Sequence, residues 1–173
     1  FLFVSATPGM CMTLSMTMGM TIGIRRTLWM MVGELIGVGL VATSAVIGVA
    51  ALMLEYPAVF SVFKYLGGAY LFYIGVMMWQ SRGKMAVTEG FEPKIDLKRT
   101  ELALQGFLTA VANPKGWAFF ISLLPPFLNP DLPLAPQLVA LITLILLIEF
   151  VCLLAYANGG KTLRRFLQKS GNV

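Results

Sequence analysis

Charged residues are scarce in this chain of 173 residues, where they make up 12% against 58% hydrophobic residues. A soluble globular protein carries about 25% charged residues. So few charges cannot cover a water-facing surface, and the mean hydropathy of +0.81 agrees with a chain surrounded mostly by lipid. The scarcity of charge therefore excludes an ordinary soluble domain.

Histidine is absent, and cysteine occurs twice, at Cys11 and Cys152. This inventory excludes a disulfide framework and a histidine-based metal site, so we predict no catalytic residue, no cofactor and no metal site. Five methionines beside Cys11 suggest a path for a soft metal. At about 100° per residue they scatter around the whole helix, which favours packing and lipid contact instead. These methionines are Met10, Met12, Met16, Met18 and Met20.

Five apolar runs approach the roughly 20 residues that cross a bilayer core. They cover residues 1–24, 28–54, 57–80, 102–127 and 134–158. The runs are long, show no strand-like alternation and are rich in Leu, Ala, Met and Gly. We predict an all-α, polytopic membrane protein embedded in a lipid bilayer, because only helices satisfy every backbone group within a single span.

The net charge of +5 does not indicate a nucleic-acid partner, because the basic residues lie in alternate connectors between the runs. The second and fourth connectors contain only Glu55 and Asp131 as charged residues. The positive-inside rule therefore puts the basic connectors in the cytoplasm and the amino terminus outside. The basic residues are Arg25, Arg26, Arg82, Lys84, Lys94, Lys98, Arg99, Lys161, Arg164, Arg165 and Lys169.

Helix-breaking residues indicate where several runs end. The stretch from Pro125 to Asp131 cannot continue a regular helix. Asn158-Gly159-Gly160 is expected to end the fifth span. This topology makes two three-helix repeats inverted relative to each other, a recurring plan of secondary transporters.

We predict one transporter domain over residues 1–173, with repeat one at 1–80, a cytoplasmic linker at 81–101 and repeat two at 102–173. The chain begins inside an apolar run, and repeat two lacks a third helix. We therefore expect a fragment with five spans, and a sixth span after Val173 in the intact protein.

A polar residue followed by proline interrupts the first and the fourth run, in corresponding positions of the two repeats. Proline removes a backbone donor and leaves a carbonyl one turn earlier without its partner. Paired interrupted helices point to a transporter's binding site, where half-helix amino ends suit a carboxylate and carbonyls suit an ammonium group. Two kinks used only for packing are the alternative. The candidate substrate-binding residues are Thr7, Pro8, Gly9, Asn113, Pro114 and Lys115.

Four ionisable residues fall inside runs: Glu34, Lys64, Lys115 and Glu149. Charge at membrane depth is costly and indicates a functional site by default. Lys64 is close enough to the outer face to snorkel there. Glu34 and Glu149 are candidates for proton coupling, since burial favours the uncharged form of a carboxyl. A structural ion pair, for example with Lys115, is the alternative.

Closely spaced glycines predict helix packing surfaces in three runs. They are Gly19 with Gly23, Gly33 with Gly37, and Gly67 with Gly68. The same faces allow a homodimer.

These motifs together resemble the LysE/RhtB family of bacterial amino-acid exporters. The likeness covers nearly the whole chain: residues 7–9, the Gly33/Gly37 spacing, residues 64–71 with Gly75, residues 106–108, 113–115 and 125–130. The resemblance implies an inner-membrane protein of about six spans that exports amino acids with the proton motive force. Where the family often has proline and asparagine after its Thr-Pro-Gly motif, this chain has Met10 and Cys11. Where the family often has histidine in span two, it has Val41.

Two other functions compete with amino-acid export. A membrane thiol relay would use Cys11, three residues after Pro8, but its partner Cys152 lies in the fifth run rather than beside Pro114. A metal-ion exporter would need the clustered carboxylates or Cys-x-x-Cys motif that this sequence lacks.

Overall fold

The computed structural model describes the backbone of residues 2–56, 97–129 and 131–169, and isolated positions between 58 and 76. In these ranges it contains helices and no strand, as predicted. The helices are α1 (Leu2–Ala6), α2 (Met10–Thr21), α3 (Ile24–Glu55), α4 (Arg99–Val111), α5 (Pro114–Leu123) and α6 (Leu134–Lys169), with one 3-10 turn at Pro125–Phe127.

Two described helices are long and apolar enough to cross a bilayer, over Ile24–Gly48 and Leu134–Arg164. They correspond to the second and fifth predicted spans. The predicted third span, 57–80, falls mostly on residues outside the described part of the chain, and so do Lys64, Gly67 and Gly68. The isolated positions described there are helical and exposed.

The first and fourth predicted spans are each divided into two helices at the proline motif. α1 ends at Ala6 and α2 begins at Met10, while α4 ends at Val111 and α5 begins at Pro114. The interruption predicted at each proline is therefore confirmed. The physical reason is the missing backbone donor and the ring, both of which disfavour a continuous helix.

The connector between α2 and α3 is a tight turn at Gly23, which has a φ of +79°. Its backbone N–H donates to the carbonyl of Met18 at 3.1 Å and closes the end of α2. An added Cβ at Gly23 would meet nothing within 4 Å. The sequence predicts that Gly23 both ends the first span and packs against another helix; the structure confirms the end of the span but shows no close neighbour at Gly23. Positive φ is a conformation that glycine adopts without steric cost. Arg25 and Arg26 consequently lie in the first turn of α3.

The prediction that Asn158-Gly159-Gly160 ends the fifth helix is wrong, because α6 continues to Lys169. Gly160 packs so closely on α2 that an added Cβ would overlap the carbonyl of Met16. Glycine is used here for close approach of two backbones, as in other membrane helix pairs, and not as a helix terminator.

The proline-rich stretch after α5 does end the helix, as predicted, and a glutamine organises the loop that follows. The Gln137 side chain donates to the carbonyls of Asn129, Leu132 and Pro133 at 3.0–3.1 Å. It also accepts from the backbone N–H of Asn129 at 2.8 Å. One side chain from the first turn of α6 therefore satisfies several backbone groups that a helix would otherwise pair.

The chain divides into two compact units that interleave in sequence. The first contains Phe1–Val38, Met85–Ala112 and Ile145–Val173; the second contains Gly39–Lys84 and Asn113–Leu144. These boundaries differ from those of the predicted repeats, 1–80 and 102–173, which stay a prediction.

Close helix pairs hold the first unit together. On α3, an added Cβ at Gly33 would overlap the backbone of Ala103, and one at Gly37 would lie 2.8 Å from the Ala110 Cβ. Gly106 of α4 packs equally tightly on the backbone of Met30. The packing surface predicted from Gly33 and Gly37 is confirmed, whereas the contribution of Gly106 was not foreseen.

The second close pair in this unit is α2 with α6. The Ser15 hydroxyl donates to the carbonyl of Leu153 at 2.8 Å, a separation of 138 positions along the chain. Gly19 packs on Ala157 at the same separation. Moving four positions along α2 moves the contact four positions along α6 in the same direction, so the two helices run parallel. The positive-inside rule predicts the same arrangement, because it directs the first and the fifth span towards the cytoplasm.

Candidate functional site

The most unusual side chain of the first unit is Glu34 on α3, which is 0% exposed. Both of its carboxyl oxygens are buried. A buried carboxyl is costly in a medium of low dielectric constant and is rare in a membrane-spanning helix. Its burial makes Glu34 the first candidate for a functional group.

Two other ionisable side chains interact with Glu34: the Cys11 thiol from α2 and the Glu149 carboxyl from α6. Cys11 and Glu149 are separated by 138 positions, as are Ser15 and Leu153, which also join α2 to α6. Gly106 of α4 also lies close to Glu34. A Cβ added at Gly106 would be 2.9 Å from the backbone nitrogen of Glu34. Four helices of the unit thus enclose one small cluster of acidic and thiol groups.

The cluster brings together the two glutamates that the sequence singled out for proton coupling. Under the predicted inverted symmetry Glu34 and Glu149 are not equivalent positions. Their proximity therefore follows from the packing of α3 and α6 around α2 rather than from the symmetry.

The interrupted segment at residues 7–9 lies in the same unit. The Thr7 hydroxyl donates to the carbonyl of Phe3 and closes the last turn of α1. The Tyr156 hydroxyl, from α6, donates to the carbonyl of Ala6 at 2.8 Å. At least two carbonyls near the break, predicted to be available to an ammonium group, therefore have partners in this structure.

Tyr156 was missed by the sequence reasoning. Its signal is its spacing: it follows Glu149 by seven positions on one helix, so both residues lie on the same side of α6. A hydroxyl and a carboxyl on one side of a membrane helix form a polar stripe, which is unusual in a lipid environment.

The amino end of α2 provides the half-helix terminus predicted beside Pro8. Gly9 is the N-cap residue, with an extended backbone (φ −149°, ψ −174°) and no side-chain cap. The first backbone N–H groups of a helix lack intrahelical acceptors. This terminus suits a carboxylate, by position and by the helix dipole.

The second interruption, in the other compact unit, is capped by its own motif. The Asn113 side-chain oxygen accepts from the backbone N–H of Lys115 at 3.1 Å, and Pro114 occupies the first helical position of α5. Asparagine at the N-cap and proline at the next position is a favoured helix start. The sequence Asn-Pro-Lys thus has a structural role, whatever else it does.

The six candidate substrate-binding residues are thus divided between the two compact units, and a joint site formed by both interruptions stays a prediction. Pro8 and Pro114 are both exposed, while Thr7 and Lys115 are partly buried.

Neither competing function gains support from this geometry. Cys11 and Cys152 are buried, and neither forms a disulfide. In the described residues, no group of three or more cysteine or acidic side chains is placed to hold a metal ion.

Bilayer-length apolar helices, helix breaks at prolines and the buried carboxyl of Glu34 define a helical membrane protein with polar groups in its interior. Comparison with protein families specifies the class: the model of the LysE type translocator matches residues 2–172. The chain therefore belongs to the LysE type translocator family. It is a membrane transporter, a multi-pass protein of the bacterial inner membrane.

Several curated proteins are similar to this chain. An uncharacterized membrane protein of Vibrio cholerae is 27% identical over 169 residues, which cover 98% of this chain and 80% of the relative. The homoserine/homoserine lactone efflux protein of Salmonella typhimurium is 24% identical, over 89% of this chain and 73% of the relative. The leucine efflux protein of Enterobacter sp. (strain 638) is 28% identical, over 73% of this chain and 59% of the relative. No solved structure matches.

Proposed function

We propose that this protein exports a small amino acid from the cytoplasm in exchange for protons. Membership of the translocator family supports transport, and the relatives named for homoserine and leucine efflux support an amino acid as the substrate. The chain spans about three-quarters of the homoserine efflux relative and just over half of the leucine efflux relative.

The Glu34–Glu149 contact is the observation that carries the proton step. Ionising both carboxyls would place two like charges side by side, with Glu34 fully buried and Glu149 partly buried. The groups facing Glu34 are Glu149 and the Cys11 thiol, and neither supplies a positive charge. The proposal assigns to this pair the proton that is exchanged for the substrate.

The interrupted helices carry the substrate step of the proposal. The amino end of α2 at Gly9 would receive the substrate carboxylate, and carbonyls of the interruption would receive its ammonium group. The proposed substrate-binding residues are Thr7, Pro8 and Gly9 in the first unit and Asn113, Pro114 and Lys115 in the second.

The test is transport by the purified full-length protein in lipid vesicles that are acidic inside. Labelled homoserine and labelled leucine serve as probes, since relatives are named for these substrates. Protons leaving the vesicles should drive accumulation of at least one probe above its equilibrium level. Equal uptake with and without the pH gradient would rule out proton exchange, and uptake of neither probe would count against amino-acid export.

Glu34→Gln separates the proton step from binding. Glutamine keeps the size of the side chain but cannot lose a proton at neutral pH, so gradient-driven uptake should fall to the rate measured without a gradient. Exchange of labelled for unlabelled amino acid at equal pH should persist. Glu101→Gln, at an exposed glutamate in the first turn of α4, is the matched control. A Glu34→Gln protein that still accumulates the probe would remove Glu34 from the mechanism.

A further inference from the structure

The amino-terminal parts of α3 and α4 lie side by side in the first unit. A Cβ added at Gly33 would overlap the backbone of Ala103, and one added at Gly37 would lie 2.9 Å from the carbonyl oxygen of Phe107. Both pairs are separated by 70 positions along the chain, so the two helices run parallel. Residues of α3 therefore lie level with residues of α4 that follow them by about 70 positions.

Two further contacts keep this register at the end of the pair that charge places on the cytoplasmic side. The Arg99 guanidinium lies over the ring of Trp29, 5.4 Å from its centroid, again at a separation of 70 positions. The Arg26 side chain donates to the carbonyl of Leu97. A cation held over an aromatic ring is attracted by the negative face of the ring. Packing of α3 on α4 thus brings basic side chains from both helices to one surface.

This surface carries four basic side chains, Arg25, Arg26, Lys98 and Arg99, which we call the basic surface. Arg25, Lys98 and Arg99 are exposed. Between residues 24–30 and 97–103, which the structure describes, the acidic side chain is Glu101. Its carboxylate accepts from the backbone N–H of Lys98 at 2.8 Å and so caps α4. Four positive charges therefore face one negative charge, and the surface as a whole attracts anions.

An exposed apolar face continues from the basic surface along α3. Trp29 is 41% exposed, close to the end of its helix, where tryptophan is enriched at the boundary between headgroups and hydrocarbon. Leu28, Val32 and Ile36 follow at helical spacing and are also exposed. An occupant that matches both parts is anionic at one end and apolar along its length, as an anionic phospholipid is.

We propose that the basic surface binds the headgroup of an anionic phospholipid of the cytoplasmic leaflet, with an acyl chain along the exposed face of α3. Charge complementarity supports this occupant, because basic pockets between membrane helices on that side recognise anionic headgroups. Arginine suits the role, since its planar guanidinium donates to phosphate in two directions at once. The inference is independent of the transported substrate.

The test uses Trp29 as a reporter of the lipid beside it. The chain has three tryptophans, so Trp79→Phe and Trp117→Phe leave Trp29 as the single fluorophore. The full-length protein is reconstituted with brominated phosphatidylglycerol or brominated phosphatidylcholine, which quench a tryptophan that they contact. We expect phosphatidylglycerol to bind beside Trp29 about 10-fold more tightly than phosphatidylcholine. The preference should fall by about 3- to 5-fold in Arg25→Gln and in Arg99→Gln, each of which removes one charge.

Lys161→Gln is the matched control, because it removes a positive charge from α6 at the same end of the unit but outside the basic surface. It should leave the preference unchanged. A second readout needs no tryptophan replacement: phosphatidylglycerol should raise the melting temperature of the wild-type protein in detergent more than phosphatidylcholine does. Arg25→Gln combined with Arg99→Gln should abolish that difference.

Three results would overturn the proposal. Equal quenching by the two lipids, with equal melting temperatures, would show that the surface does not select an anionic lipid. An equal fall in Lys161→Gln would mean a general attraction to the basic end of the unit and no site between α3 and α4. Displacement of the quenching lipid by millimolar glycerol phosphate, which has the charge without the acyl chains, would assign the surface to a soluble anion.

Discussion

At the scale of single residues, Ser15 and Glu34 are two buried polar side chains with different roles, one in packing and one in the proposed transport. Both side chains are 0% exposed. Ser15 donates to a carbonyl of the neighbouring helix and so contributes to packing, whereas Glu34 interacts with a second carboxyl, Glu149. A buried polar group that costs stability is retained where it has another use, and at membrane depth that use is normally transport.

This contrast predicts opposite effects on stability. Replacing Glu34 with methionine removes a fully buried carboxyl that lies beside a second one, Glu149, and should raise the free energy of unfolding by about 1–3 kcal/mol. Replacing Ser15 with alanine removes a satisfied hydrogen bond and should lower it by about 0.5–1.5 kcal/mol. Thermal melting of both variants in the same detergent measures the difference. A lower melting temperature for Glu34→Met would mean that Glu34 has stabilising contacts not evident from its surroundings.

At the scale of helices, glycine spacing predicted packing surfaces but could not assign each glycine its role. Gly33 and Gly37 contact α4 as expected, while Gly23 forms a turn and Gly160 packs where a helix end was predicted. Sequence spacing shows which glycines share a face of a helix. It does not show whether a backbone from elsewhere in the chain approaches that face.

Two adjacent glycines of α6 provide a matched comparison. Gly160→Ala should lower the stability of the protein by about 1–3 kcal/mol, because the added methyl group overlaps the backbone of α2. Gly159→Ala should be neutral or slightly stabilising, since nothing lies within 4 Å of its added Cβ and alanine is the better helix former. Melting temperatures measured side by side decide the matter. Equal losses for both variants would contradict the close packing of α2 on α6.

At the scale of the whole molecule, two parallel helix pairs agree with the orientation derived from charge. α6 ends at Lys169 and α4 begins at Arg99, while Arg25 and Arg26 lie in the first turn of α3, directly after the end of α2. The cytoplasmic side of the membrane attracts these lysines and arginines. At that end, the Arg164 side chain also donates to the carbonyls of Met20 and Thr21. One of the arginines that set the orientation therefore also caps the carboxyl end of α2.

This orientation predicts which connectors a membrane-impermeant thiol reagent reaches in intact cells. In a background with Cys11→Ser and Cys152→Ser, a cysteine at Asp131 should react without permeabilisation, and one at Lys98 should react only after it. Both positions are exposed. Labelling of the Lys98 variant in intact cells, with no labelling of the Asp131 variant, would reverse the topology. The inverted repeats and a sixth span stay predictions.

Hydropathy and charge were sufficient to predict a helical membrane protein, because a bilayer constrains the length and backbone pairing of every span. Proline chemistry was likewise sufficient to predict both interruptions, since the missing donor acts locally. The Glu34–Glu149 contact, the role of Gly160 and the Tyr156–Ala6 bond depend on which helices meet and in what register. Those are long-range choices, made by the close packing of α2, α3, α4 and α6, and no local pattern in the chain encodes them.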